Sequence, residues 1–210
     1  MKKGLLITFE GGEGAGKSSH IASLKQALES RGHDVLVVRE PGGTLVGEAI
    51  REILLSHDYE GMSPRTELLL YEAARAQIVD EVIKPALDVG MIVLCDRFYD
   101  STSAYQGHGR GLDLEMIDRL NMSATDGLMP DCTILVDVPV EVGLSRASDV
   151  NDPDRLESAG RAFHEAVRNG FLALAQHNSD RIHIVDGDRD KESVYHDIET
   201  IVFEVLARVE

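Results

Sequence analysis

Between residues 5 and 30 the chain changes character twice. The apolar run Leu5-Leu6-Ile7-Thr8-Phe9 breaks at Glu10 into Gly11-Gly12-Glu13-Gly14-Ala15-Gly16-Lys17-Ser18-Ser19. An amphipathic pattern follows, with Ile21, Leu24 and Leu28 at i, i+3 and i+7. The first run has the length and composition of a buried strand and the last the spacing of a helix face, with Gly32 as a natural stop. Gly11, four residues, then Gly16-Lys17-Ser18 fits G-x-x-x-x-G-K-S/T. In that loop the backbone N–H groups and the start of the following helix cradle a chain of phosphates. The pattern needs a strand before it and a helix after it, and both are present. It predicts a nucleotide site spanning Gly11 to Ser19, with Lys17 on the β/γ-phosphates and Ser18 on Mg²⁺.

The rest of the chain repeats the alternation. Apolar, β-rich runs recur at Val35–Val38, Met91–Cys95, Thr133–Val138 and Ile182–Val185. They lack clean alternation, as strands covered on both faces do. Between them lie helical patterns. Leu68 to Leu87 predicts one long helix ending before Gly90, with Pro85 kinking or shortening its last turn. Val194, Ile198, Ile201, Val205 and Val209 predict an amphipathic closing helix. Strands alternating with helices imply a parallel α/β sheet with right-handed crossovers, whose ligands lie beyond the carboxyl ends of the strands. No repeat or long linker interrupts the 210 residues, so a single domain over 1–210 is expected.

Charge narrows the partners. With 21 Lys+Arg against 37 Asp+Glu the net charge is −16, which repels nucleic-acid backbones and anionic lipid and argues against either as a partner. A small anionic ligand is compatible if the few arginines converge in one cleft. No apolar run reaches the length of a membrane span. Met1-Lys2-Lys3-Gly4-Leu5 leads into a run too short for an export signal and lacks a cleavage site, so it reads as the approach to the first strand. Cys95 and Cys132 sit in apolar stretches without C-x-x-C spacing, as reduced buried thiols of a cytoplasmic protein do.

The informative residues fall just after the strands. Arg39 and Glu40 precede Pro41-Gly42-Gly43, Thr44 is placed to cap the helix carrying Arg51, and Asp96-Arg97 closes the third core strand. A strand-end carboxylate such as Asp96 suits Mg²⁺ or its waters, and the Arg97 fork suits phosphate. Tyr71 and Arg75, four apart, share one helix face where a ring and a guanidinium can stack on a planar base and bond its edge; from spacing alone, a core tyrosine beside a surface arginine is the alternative. Arg146 and Arg155 flank a polar, proline-bearing segment that reads as a lid over about 140–155, with core at 1–139 and 156–210. The histidines show no metal-ligand spacing.

The ordered series FEGGEGAGKSS, EPGGT, LLLYEAARAQ, DRFYDSTSAYQG and DRLE resembles the thymidylate kinase family over most of the chain. The resemblance implies the P-loop nucleoside monophosphate kinase fold: a five-stranded parallel sheet with helices on both faces and a lid. It implies transfer of phosphate from Mg-ATP to dTMP, giving dTDP for dTTP synthesis, by a homodimer packed through helices of the core. Carried over by position, Tyr71 stacks on thymine and Arg75 bonds a carbonyl on its edge. Thr102 and Gln106 line the base pocket, and Tyr105 crowds the sugar 2′ position. Glu10 meets the 3′-hydroxyl or waters on Mg²⁺, Arg51 and Arg97 hold the monophosphate, and Arg146 packs on adenine. The match is closest to the bacterial class without a basic residue in the P-loop, which usually carries several lid arginines. Here Ser148 and Val150 stand where two of them are expected, so Arg155 or Arg146 is expected to serve as the lid arginine beside Lys17 and Arg97. A P-loop kinase for another monophosphate and a P-loop switch ATPase are the alternatives. The absence of an N-K-x-D sequence counts against a guanine-specific switch.

Overall fold

The strand-forming runs become five parallel strands, β1 (Leu5–Glu10), β2 (Val35–Arg39), β3 (Ile92–Asp96), β4 (Cys132–Asp137) and β5 (Ile182–Asp186), in the order β2-β3-β1-β4-β5. This computed structural model describes residues 4–148 and 154–209. The register pairs Leu5 with Ile92 and Ile7 with Cys132, which puts β1 in the centre. All five strands point the same way, so Glu10, Arg39, Asp96, Asp137 and Asp186 come to one edge of the sheet. The chain runs outward from β1 to β2 on one side and from β3 to β4 on the other. That reversal opens a crevice above the strand ends, where ligands of such sheets lie.

Side chains alternate across the sheet as the pleat demands. Leu5, Ile7 and Phe9 of β1 with Ile92 and Leu94 of β3 meet Ile21, Leu24 and Leu28 of α1 (Lys17–Ser30) and Val194, Ile198, Val202 and Leu206 of α9 (Lys191–Val209). Leu6, Val93 and Cys95 face the other way, onto Ile78, Val79 and Ile83. Leu135 packs with Phe163, Val167 and Phe171 of α8 (Arg161–His177). The expectation of strands covered on both faces holds for β1, β3 and β4. The edge strands β2 and β5 differ: Val37 is 40% and Ile184 50% exposed, because an edge strand has fewer neighbours to cover it. On α9 the fully buried stripe is Val194, Ile198, Val202 and Leu206, with Ile201 and Val205 half-buried beside it. The side chain of Val209 lies outside the described residues.

The predicted long helix is three pieces in one helical path. α3 (Pro64–Ile78) passes into a π-helical segment, Val79–Ile83, and then α4 (Lys84–Asp88). Pro85 has no N–H to donate into the preceding turn, and the register widens just before it. A second π-helical segment, Ser103–Gly109, follows the short α5 (Tyr99–Thr102). Gly170 of α8 lets it approach this segment closely: a Cβ there would lie 2.7 Å from the His108 ring. Thr44 caps α2 (Leu45–Leu55) through Gly47 N–H, Ser63 caps α3 through Thr66 N–H, and Asp113 caps α6 (Leu114–Thr125) through Met116 N–H. The Glu40–Pro41 bond is cis. Residues 140–148 of the expected lid form helix α7 (Val140–Ser148), and 149–153, with Val150, lie outside the described residues, as do Met1 to Lys3. Among the described residues no helix is long and apolar enough to cross a membrane.

Candidate active site

The phosphate end is built on α1, which starts at Gly16 with φ 84° and no side-chain cap. Its first N–H groups are therefore left for a ligand. Gly14 (φ 61°) carries the loop against α7; a Cβ there would meet Gly143 O at 2.0 Å. Residues Glu13 to Ser19 line a cleft of ≈ 330 Å³. Gly11 and Gly12 lie behind it, where their carbonyls accept from Lys17 Nζ at 3.1 and 2.9 Å. Burial, then the nearby Arg97 charge, lowers the Lys17 pKa to about 8. Ser18 Oγ donates to Asp96 Oδ2 at 2.6 Å, so the hydroxyl and strand-end carboxylate expected at a Mg²⁺ site converge. Among the described residues no group of three or more His, Cys, Asp or Glu could hold a metal. A hard cation there would draw its other ligands from phosphate oxygens and water, as Mg²⁺ does.

Arg97 joins this cleft to a second. It sits at φ 69°, rare for a residue with a side chain. Its N–H donates to Phe9 O and its Nη1 to Gly11 O, both at 2.9 Å, while Nη2 meets both Glu13 oxygens at 3.0 Å. Tyr105 Oη donates to Glu13 Oε1 at 2.5 Å. The two acids beside the loop behave oppositely. Burial pushes Glu13 up, but Arg97, Lys17 and the Tyr105 hydrogen bond bring it down to about 2. Glu10 is raised to about 8 by burial and by the Asp100 charge. Glu10 does not line either cavity. Its oxygens accept from Phe98 N–H at 2.8 Å and from Ser101 N–H and Oγ at 3.3 and 2.5 Å. The Phe98–Ser101 turn thus takes up both Glu10 oxygens, and of the two acids beside the loop it is Glu13 that lines both cavities.

The second cavity, ≈ 140 Å³, is lined by Tyr71, Arg75, Thr102, Tyr105 and Gln106 among others, and shares Glu13, Glu40, Arg51 and Arg97 with the first. Arg51 Nη1 is steadied by Pro41 O at 3.0 Å. Arg75 is 1% exposed, not the surface arginine that spacing allowed. Its Nε and Nη2 each lie 2.8 Å from Glu40 Oε2, and its Nη1 donates to Glu72 Oε1, Thr102 Oγ1 and Asn121 Oδ1 at 3.0, 2.9 and 3.3 Å. Two carboxylates thus face one guanidinium, with Glu40 Oε1 and Glu72 Oε2 buried and unpartnered. Burial raises Glu40 to about 7 despite Arg75. Tyr105 packs edge-on to Phe163 and Phe171, centroids 6.0 and 6.1 Å away, so its position is fixed from behind.

Arg155 and Arg146, the alternatives for the lid arginine, make other contacts here. Arg155 is buried, with Nε on Leu54 O at 2.9 Å and Nη1 on Glu67 Oε2 at 2.7 Å. Arg146 donates to Gly187 O at 3.1 Å and faces Asp188. Neither lines either cavity. The Arg155 contact has a plain cause: a guanidinium taken out of water is held by a buried carboxylate, and here that is Glu67. Sequence reasoning missed Glu40, Glu67, Glu72 and Asn121 as supports of the site. One signal was available, since Glu67, Tyr71 and Arg75 fall at i, i+4 and i+8 and draw a polar stripe along α3.

This architecture has known counterparts. The family model described as "Thymidylate kinase" matches residues 9–198. A thymidylate kinase of Geotalea uraniireducens is 50% identical over 98% of this chain and 98% of its own. One from Geotalea daltonii is 54% identical over 88% and 89%. The crystal structure of thymidylate kinase from Ehrlichia chaffeensis superposes with TM-score 0.78 at 33% identity, covering 95% of this chain and 99% of that one. An open phosphate loop joined through Arg97 to a side-chain-lined cavity, with matches of this length and identity, places the chain in the thymidylate kinase family.

Proposed function

We propose that the chain transfers the γ-phosphoryl group of ATP to dTMP, with Mg²⁺ as the metal. The observation that carries this reading is the pair of cavities meeting at Arg97: a cleft lined by the glycine loop, Lys17 and the start of α1, and a smaller one with a ring and hydrogen-bonding side chains. Lys17 and the amides opening α1 take the β/γ-phosphates. Ser18 and Asp96 would hold Mg²⁺, which would offset phosphate charge there. Arg51 and Arg97 hold the acceptor phosphate in line with the donor. That phosphate needs no general base, since a phosphate monoester with a second pKa of about 6 is already a nucleophilic dianion. Tyr71 stacks on thymine, Arg75 donates to its O4, and Thr102 and Gln106 complete the pocket. Glu13 and Tyr105, held by each other, border the sugar. Arg146, on the outer side of the loop, packs on adenine. Lys17 and Arg97 carry the charge stabilisation, and Arg155 acts as an anchor.

The protein works as a homodimer in the cytoplasm in this reading. Ile53 of α2 and Leu69 of α3 are 38% and 50% exposed on adjacent helices, which suits a helix-to-helix interface, and the free, buried Cys95 and Cys132 suit a reducing compartment. ADP release with Mg-ATP and a panel of monophosphates tests the activity. Selective turnover of dTMP is expected, and preference for AMP, GMP or UMP would overturn it. Light scattering tests the dimer.

A further inference from the structure

The side-chain amide of Gln106 can sit in its place in two orientations of nearly identical shape and opposite hydrogen bonding. Gln106 is 1% exposed and lines the base cavity. Which end of the amide faces the base is decided from behind, by Glu67. One carboxylate there receives four bonds. Glu67 Oε1 accepts from Gln106 Nε2 at 3.0 Å and from Arg110 Nε at 3.1 Å. Glu67 Oε2 accepts from Arg110 Nη2 at 3.1 Å and pairs with Arg155 Nη1 at 2.7 Å. A carboxylate gripped by two guanidinium groups has no proton to donate, so turning the amide over would set oxygen against oxygen in a buried site. Burial pushes the Glu67 carboxyl up, but the hydrogen bonds from Arg110 and Gln106, with the charge of Arg110 and the bond from Arg155, hold it below its ordinary value.

Resting on the thymidylate reading above, we propose that Glu67 is a specificity-determining positioning residue: by taking the Gln106 amide nitrogen it turns the Gln106 carbonyl oxygen to the base. Arg75 supplies the neighbouring contact. Its Nε–H and one Nη2–H serve Glu40 and its Nη1 serves Glu72, Thr102 and Asn121, leaving one Nη2–H for a ligand. The pocket then offers a donor beside an acceptor. Thymine and uracil present O4 and N3–H, which match. Cytosine presents an N4 amino group and an unprotonated N3, so both contacts are reversed. Rejection of dCMP therefore comes from an acid that touches no substrate atom.

Steady-state ADP release by the full-length protein with Mg-ATP, with kcat/KM measured for dTMP and dCMP, tests this. In Glu67→Gln the neutral amide can donate or accept, and Gln106 is free to turn. The dTMP/dCMP ratio of kcat/KM should fall at least about tenfold, carried by KM for the two nucleotides moving in opposite directions. Arg110→Ala removes two bonds from Glu67 but leaves the one to Gln106, so it should lower Tm and keep the ratio. Gln106→Met, which has no oxygen to present, should lower the ratio alone, and Glu67→Gln added to it should lower it no further. A folded Glu67→Gln enzyme with an unchanged ratio overturns the proposal. So does an unchanged ratio in Gln106→Met, which decides the matter if Glu67→Gln does not fold. A wild-type enzyme without preference for dTMP over dCMP is a different failure, that of the thymidylate reading itself.

Discussion

The two ends of the cleft hold charge by different means. At the phosphate end Lys17 reaches loop carbonyls five and six residues away, and long-range bonds from Asp96, Arg97 and Tyr105 hold the loop at Ser18, Gly11 and Glu13. The N–H groups opening α1 have no side-chain cap and lie along the cleft. At the base end Arg75 draws on Glu40, 35 residues away, and on Asn121, 46 away. Every partner is a side chain, and each is almost wholly buried. The first end is a docking place whose donors wait for an anion. The second is part of the core that happens to present one donor and one acceptor. Substitutions at the phosphate end should therefore cost rate, and those at the base end should cost stability as well.

The largest effect expected is on kcat. Arg97→Ala removes a cation from the phosphates and should lower kcat by about 10²–10³-fold, the scale for losing one preorganised donor, as measured by coupled ADP release. Arg75→Ala sharpens the contrast. It strands Glu40 and Glu72 in the interior, and loss of one partner of a buried ion pair costs about 3–5 kcal/mol. Denaturant unfolding should record that loss and kinetics a raised KM for dTMP. If Arg75→Ala unfolds at the wild-type midpoint, the distinction between the two ends fails.

The two acids beside the P-loop offer a finer division. Glu13 is held near pKa 2, below its unfolded value, so its contribution to stability is present above about pH 4.5 and lost as pH falls toward 2. Glu10 is raised to about 8, so the folded protein binds its proton more tightly and stability declines as pH rises from about 4.5 through 8. Thermal unfolding across pH should show Glu10→Gln gaining on wild type toward pH 9 and Glu13→Gln gaining on it toward pH 2. Curves that run parallel to wild type for both variants would refute these environments. The smallest effect belongs to the outer rim. Arg146→Ala should raise KM for ATP by about threefold, the scale of an exposed cation–π contact, with KM for dTMP and Tm unchanged.

Legibility followed the same division. The glycine loop, Asp96-Arg97 and the parallel α/β sheet could be read because each depends on residues adjacent in the chain or on the rule that parallel strands present their carboxyl ends together, whereas the strand order came only with the structure. The π-helical segments at Val79–Ile83 and Ser103–Gly109 were not readable, since a helical apolar period barely changes when one turn widens. The contacts of Arg155 were hidden for a related reason. A motif can place an arginine near a lid, but which carboxylate captures it depends on where α3 lies, and Glu67 of α3 was closer. The surroundings of Glu10 were hidden too, because residues beside a glycine loop look alike in sequence until the Phe98–Ser101 turn is seen sitting on one of them.

The amino-acid sequence alone determined the fold class, the open phosphate cradle at the start of α1 and the family, because contiguous residues with fixed backbone demands can satisfy them in few ways. Only tertiary structure decided the polarity of the base pocket. The direction of the Gln106 amide and the one free N–H of Arg75 depend on Glu67, Glu40 and Glu72 being buried against them, and a buried donor or acceptor takes whatever partner the packing brings within reach.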